Sequence, residues 1–564
     1  MKEYVITLHN FKDLDDFYQD METPGGNLFI PNREVAVTHR RPVSRNTNYM
    51  LTEEEAHQIS QDSRVLAVEL SMEEQGIKLV PLVDTTLIPT NISEETLTPT
   101  WTEGAPPVVW DKQNLYYTNA SQKNWGLLRC VEGVQRLGWG KDSATTYVYN
   151  AIINVTASGK NVDLVIVDGH INPDHPEYAV NVDGTGGSRV NQFNWFSLNP
   201  QVTGASSSTY VYTPYIGGTV TGDNDHGAHV AGTAGGNTQG WAHDANIYNI
   251  NPYTNDSSYF LDYIKVWHTN KSINPVTGIK NPTITNHSYG PTPYTYSVTT
   301  ITSVRYNGTL YESIGPDGTG LFTSNQLISW GIYNSGGIVK ALKRNAGLEA
   351  DLYDLMQMGV IVVSAAGNSY HKVALYSSVE SNEYNNYYIA LGITVYYNRG
   401  SISAAPGVIC VGAISAGKDE AKASFSNCGP RVDIYAPGEL IISSVHSTRH
   451  PDPRNPNFYL YKLSGTSMAS PQVAGVLACF LETNPKASQA DALKYITSTA
   501  KINQIFSFNL GPSDSTDLQG SPNRYLYFYK QRLDDGFVGP KVNFGVRPST
   551  GQTWPRTNIF RYGS

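Results

Sequence analysis

The sequence predicts an α/β architecture: a layered unit around a mostly parallel central sheet, preceded by a small α+β unit. Three observations carry this. Residues 164–167 and 359–364 are short apolar runs of the kind that form strands covered on both faces. Helical stretches at residues 348–358 and 473–478 alternate with such strands. The first 80 residues, by contrast, read as strand, helix, strand, strand, helix, strand. A chain of 564 residues exceeds one ordinary core, so two or three domains are expected. With 40% hydrophobic and 16% charged residues the chain is globular, and a net charge of −9 argues against a nucleic-acid-binding surface.

Within residues 1–80, residues 3–8 alternate like a strand. Residues 11–20 read as a helix with Phe11, Leu14, Phe17 and Tyr18 on one face. Residues 34–38 are strand-like. Thr52 caps a second helix, and Glu55 three residues later completes a capping box. Residues 65–70 form the last strand. This order is the ferredoxin-like one. Residues 81–120, rich in Thr, Pro, Glu and Asn, read as a linker.

Residues 161–167 form a buried strand ending at Asp168, on the edge where open α/β sheets bind ligands. Taken alone, a carboxylate there also serves as a cap or turn residue. Asp225-His226-Gly227-Ala228-His229-Val230-Ala231-Gly232-Thr233 places two histidines close together on a helix. Such a pair also suits a metal, but no Glu completes a zinc-peptidase pattern. Residues 245–251 and 283–289 are further strands. Asn368 follows the apolar strand at 359–364. Residues 463–475 read as a tight turn opening into a helix. Gly465 lets the backbone pass close to something, Thr466 and Ser467 are cap-type residues, and Pro471 sits where a first turn tolerates a missing N–H. The Ser467 hydroxyl then lies at a helix N-terminus, where unpaired amides favour developing negative charge. An isolated serine of this kind is most often an ordinary cap. A last helix spans residues 488–500.

Together these motifs resemble the subtilisin-like serine peptidases (subtilases, peptidase S8 type). Gly465-Thr466-Ser467-Met468-Ala469-Ser470-Pro471 resembles the family's nucleophile motif, and the stretch around His226 resembles its His-Gly-Thr-His-Val-Ala-Gly-Thr. Ala365-Ala366-Gly367-Asn368 resembles its oxyanion-hole motif. Asn286-His287-Ser288-Tyr289-Gly290 resembles its substrate-pairing edge strand. Asp168 matches the family's aspartate, although Asp168-Gly169-His170 stands where members usually have Asp-Ser-Gly or Asp-Thr-Gly. Residues 50–56 and 62–69 are similar to the family's propeptide inhibitor domain, and Asn124-Trp125-Gly126-Leu127 to the start of its mature members.

The resemblance implies a subtilisin-like three-layer peptidase domain over residues 121–500. It implies Asp168, His226 and Ser467 as catalytic residues and Asn368 in the oxyanion hole. Ser288, Tyr289 and Gly290 would bind substrate, and His229 would be structural. Insertions are expected near 182–221 (an inserted surface loop), 291–346 and 369–405. Residues 501–564 are expected to be a C-terminal extension, of which the last forty residues match nothing in the pattern and would wrap the domain or dock on assembly partners. The implied activity is a serine endopeptidase acting on polypeptide and inhibited by its own N-terminal domain. Self-processing of that domain is a further expectation, at a bond the sequence does not single out. Two other readings stay open: a catalytically silent or zymogen-locked domain serving as a structural or virion assembly component, and a peptide-binding module using the edge strand alone. No cofactor is required. Calcium is possible but not placed, because residues 233–240 are shorter than the loop of members with a tight site. The N-terminus lacks a secretory h-region and no apolar run approaches the ~18 residues a membrane span needs, so a soluble, cytoplasmic or virion-associated protein without membrane partners is expected. Cys130, Cys410, Cys428 and Cys479 show no framework spacing and are expected to be reduced.

Overall fold

A computed structural model describes residues 1–30, 37–83, 114–117, 124–132, 151–155, 157–204, 214, 225–253, 259–313, 321–342, 344–417, 420–452, 454–507, 511–528 and 531–534. Its N-terminal unit runs Lys2–Leu8, Leu14–Glu22, Val37–His39, Asn46–Leu51, Glu53–Ile59 and Val65–Leu70. The four strands form one antiparallel sheet with Asn46–Leu51 and Val65–Leu70 flanking Lys2–Leu8, the ferredoxin-like arrangement. Phe17, Met21, Tyr49, Leu51 and Ile59 close a core of their own under the two helices. The Thr52–Glu55 capping box is present. The first helix starts later than the sequence suggests: Phe11–Asp13 is a 3₁₀ turn, and Phe11 is exposed rather than on the buried face.

The large unit is built on a nine-stranded sheet. From one edge its strands are Lys501–Ile502, Arg524–Tyr525, Ile434–Pro437, Ile409–Ile414, Ile361–Ala365, Thr283–His287, Asp163–Val167, Asn246–Ile250 and Val190–Asn191. All neighbours are parallel except the first pair. Side chains alternate between two cores, as the pleat requires. Leu164, Ile166, Ile361 and Val363 enter the core beneath helices His226–Gly235 and Thr466–Thr483. Val165, Val167 and Val362 enter the opposite core beneath Phe260–Asn270 and Ala346–Gln357. Three layers result, and because the strands run parallel their C-terminal ends share one edge.

Several expectations require correction. Residues 182–204 are not a surface loop: Val190–Asn191 forms the edge strand, Trp195 is buried, and the Arg189 guanidinium donates to the carbonyls of Glu177, Ala179, Gly235 and Ala245. Residues 205–213 and 215–221 lie outside the described residues. The segments expected as insertions at 291–346 and 369–405 fold together. Ile301–Tyr306 pairs with Tyr387–Ala390, and Tyr296, Val304, Tyr388 and Tyr397 share one core. Both leave the ends of adjacent parallel strands, Thr283–His287 and Ile361–Ala365, so the sheet itself brings them together. Residues 501–528 are not an extension: Arg524–Tyr525 joins the central sheet, and Leu526 and Phe528 pack in the main core beside Trp241. Within the expected linker, Asn114–Tyr117 is a strand paired with Ala151–Val155. The rest of that linker and residues 535–564 lie outside the described residues. All four cysteines are buried, and none forms a disulfide. Among the described residues no helix is long and apolar enough to cross a membrane.

Buried charge joins the two units. Asp351 accepts from Arg41 (2.6 Å), Lys265 (2.6 Å), Asn46 (2.8 Å) and Ser44 (2.5 Å), and Arg41 and Lys265 also reach Asp262. Burial pushes the Asp351 carboxyl up, but the Arg41 and Lys265 charges outweigh it and hold it well below the ordinary carboxylate range. Replacing Asp351 with alanine would strand two buried cations and should cost about 3–5 kcal/mol in denaturant-induced unfolding. A carboxyl depressed in the folded state stabilises above its unfolded pKa and ceases to do so as protons bind. The contact should therefore be intact at neutral pH and weaken progressively below about pH 4, the unfolded value for Asp. Retention of the N-terminal unit on a size-exclusion column across that range measures it.

Candidate active site

Asp168 ends the strand Asp163–Val167, and its backbone N–H bonds to Ile250 on the neighbouring strand (3.0 Å). Its Oδ1 accepts from Gly169 N–H (2.8 Å) and from His226 Nδ1 (2.8 Å). A carboxylate can only accept from an imidazole at neutral pH, so Nδ1 carries the proton. Both side chains are fully buried. His226 opens the helix His226–Gly235 behind Asp225, which sits in the left-handed region at φ 65°. The Asp225 carboxylate holds that turn by accepting from the amides of His446 (2.7 Å) and Ser447 (2.8 Å). Gly227 follows because a Cβ there would lie 2.2 Å from the Gly169 carbonyl oxygen. His229 is buried with Nε2 bonded to the carbonyls of Ile441 and Tyr461; burial lowers its pKa to about 3, so it is neutral and structural.

Ser467 lies in the first turn of Thr466–Thr483, whose N-cap is Gly465 rather than Thr466 or Ser467. Pro471 is inside this helix, not in its first turn. Its missing N–H leaves the Ser467 carbonyl without an intrahelical donor, and the Ser288 hydroxyl fills that role (3.1 Å). The Ser467 hydroxyl in turn donates to the Ser288 carbonyl (2.8 Å). Asn368 follows the Ile361–Ala365 strand. Its Oδ1 accepts from Thr466 N–H (2.9 Å) and Oγ1 (2.8 Å), which fixes the amide with Nδ2 pointing away.

The chain's own residues 79–83 occupy this cleft. Leu79–Pro81 pairs antiparallel with Tyr289–Pro291, Pro81 opposite Tyr289 and Val80 opposite Gly290. The Leu82 N–H donates to the Ser288 carbonyl (3.1 Å), the same oxygen that receives the Ser467 hydroxyl. The Leu82 carbonyl oxygen accepts from Asn368 Nδ2 (2.6 Å). Gly465 permits this approach, since a Cβ there would lie 2.6 Å from that oxygen. Sequence reasoning missed Leu82 because the partner strand is supplied by a segment two hundred residues away. It also missed Asn249, in the Asn246–Ile250 strand, and Tyr253, just after it. Asn249 donates to the carbonyls of Ile166, Asp168 and Gly169 (3.0–3.2 Å), and the Tyr253 hydroxyl donates to Asp168 Oδ1 (3.2 Å). Neither carries a local signal. Among the described residues no cluster of His, Cys, Asp and Glu is arranged to hold a metal ion. Glu177, beside the short 233–240 segment, is occupied by Thr238, Gln239 and Arg454.

The model of the subtilase family (peptidase S8) matches residues 159–526. Alkaline protease 1 of Emericella nidulans is 25% identical over 411 residues, 73% of this chain and 68% of that protein. Alkaline serine exoprotease A of Vibrio alginolyticus is 30% identical over 184 residues, 33% of this chain and 26% of that protein. Fervidolysin of Fervidobacterium pennivorans, whose structure is described as that of a keratinolytic enzyme related to subtilisin, aligns over 93% of this chain and 60% of its own at 18% identity and a TM-score of 0.43. The family match covers well over half the chain, ends at Leu526 inside the segment that completes the central sheet, and includes Asp168, His226, Asn368 and Ser467: the chain belongs to the subtilase family.

Proposed function

We propose that the protein is a serine endopeptidase that hydrolyses polypeptide and processes its own chain between Leu82 and Val83. The observation that carries this reading is the Leu82 carbonyl held by the Asn368 amide while the Leu82 N–H and the Ser467 hydroxyl meet at one oxygen. Rotation about χ1 turns the Ser467 hydroxyl towards His226. The imidazole takes its proton as Oγ attacks the Leu82 carbonyl carbon, and Asp168 keeps the proton on Nδ1 and stabilises the imidazolium. Asn368 Nδ2 and the Ser467 N–H receive the oxyanion. His226 then gives the proton to the Val83 nitrogen as the C–N bond breaks, leaving Leu82 esterified to Ser467. Water releases it as a carboxylate and restores the serine.

Polypeptide substrates take the place of residues 79–82, pairing with Ser288, Tyr289 and Gly290 by strand addition. Until displaced, the N-terminal unit blocks the cleft, cut or uncut. The test compares the full chain with its Ser467→Ala variant. Wild type should yield a fragment whose N-terminus reads Val83-Asp84-Thr85, and that fragment, once the N-terminal unit is displaced, should be labelled at Ser467 by a fluorophosphonate. A single uncut band without labelling, in both proteins, rejects the reading.

A further inference from the structure

We propose that Tyr253 is a positioning residue for the Asp168–His226 pair. The inference rests on the peptidase reading and adds a member to its site. Three donors meet Asp168 Oδ1: Gly169 N–H at 2.8 Å, His226 Nδ1 at 2.8 Å and the Tyr253 hydroxyl at 3.2 Å. The residue after Asp168 is glycine, so this turn brings no side-chain hydroxyl of its own to the carboxylate. Tyr253 supplies one from another element.

Its placement is built. The strand Asn246–Ile250 is stitched to the Asp168 turn through the Asn249 amide, which donates to three of its carbonyls. The chain then turns so that Tyr253 N–H bonds to Asn251 Oδ1 (2.8 Å), aiming the ring back at Asp168. The ring also stands edge-on to Tyr289, centroids 6.4 Å apart, so one side chain touches both the carboxylate and the strand that pairs with residues 79–81. Other titratable groups near the pair among the described residues include Tyr289 beside Asp168, Asp225 and His229 on either side of His226, and His446, whose backbone N–H bonds the Asp225 carboxylate and whose Nε2 lies against the His170 carbonyl. The Tyr253 hydroxyl bonds the same carboxylate oxygen that His226 uses.

A neutral donor on Asp168 holds its rotamer and withdraws part of its charge from the imidazole. Losing it should misorient the pair and favour the imidazolium. Tyr253→Phe is therefore expected to lower kcat about threefold to tenfold with KM within twofold. The acid limb of the kcat/KM profile should move to higher pH, and the low-field Nδ1 proton resonance of His226 should shift. Asn251→Ala, which loosens the turn without touching the ring, should move the same readouts in the same direction. The proton resonance is readable whether or not the protein turns over. Unchanged kcat, acid limb and resonance in a folded Tyr253→Phe protein overturns the proposal. Failure of the peptidase reading is distinct: there, wild type and Ser467→Ala would be equal in the same assay.

Discussion

Ser467→Ala should lower peptide-bond hydrolysis about a millionfold, the scale measured on subtilisin, a member of the same family. Alanine leaves the helix Thr466–Thr483 and the Asn368 contacts to Thr466 in place, since neither uses Oγ. What it removes is the atom that forms the ester. The remaining rate would come from Asn368 and from substrate alignment alone. Because the serine and the imidazole act as one unit, a Ser467→Ala, His226→Ala double variant should lose little more than either single change. Hydrolysis of a peptide ending in Leu-Val-Pro-Leu ahead of a chromogenic amine measures this. Ser467→Ala activity near wild type would remove the serine from the mechanism.

Asn368→Leu should lower kcat about 10²–10³-fold, with a much smaller change in KM. That range, too, was measured on subtilisin. The amide is oriented before any substrate arrives, because Thr466 occupies its oxygen twice, so its N–H group is aimed at little cost when charge appears on the substrate oxygen. Leucine keeps the volume and loses the donor. Asn368→Asp separates the two duties, since it can still accept from Thr466 but offers no donor. A loss confined to KM in both variants would show that Asn368 binds the ground state and not the oxyanion.

Much of this site was legible in the residues. Ser467, His226, Asp168 and Asn368 each lie in a stretch whose chemistry is local: a helix start beside a close-approach glycine, or the end of a buried strand. The same holds for the capping box at Thr52 and the order of the N-terminal elements. Where local reading failed, composition concealed long-range pairing. Residues 182–221 look like a loop because they are full of Gly, Ser, Thr and Asn, yet Arg189 buries itself on the carbonyls of Glu177, Ala179, Gly235 and Ala245. The aromatic, proline-rich residues after 501 look like a tail, yet Tyr525, Leu526 and Phe528 finish the main core.

The sequence by itself determined the family and the α/β class and singled out the side chains proposed to react, because each depends on residues adjacent in the chain. Only the tertiary structure decided which carbonyl lies in the cleft, which phenol steadies Asp168, and that Arg41, Lys265, Asp262 and Asp351 share one buried site. Hydrogen bonds and ion pairs act over about 3 Å whatever the separation along the backbone. A parallel sheet collects strand ends from all along the chain on one edge, and no local pattern records which of them meet.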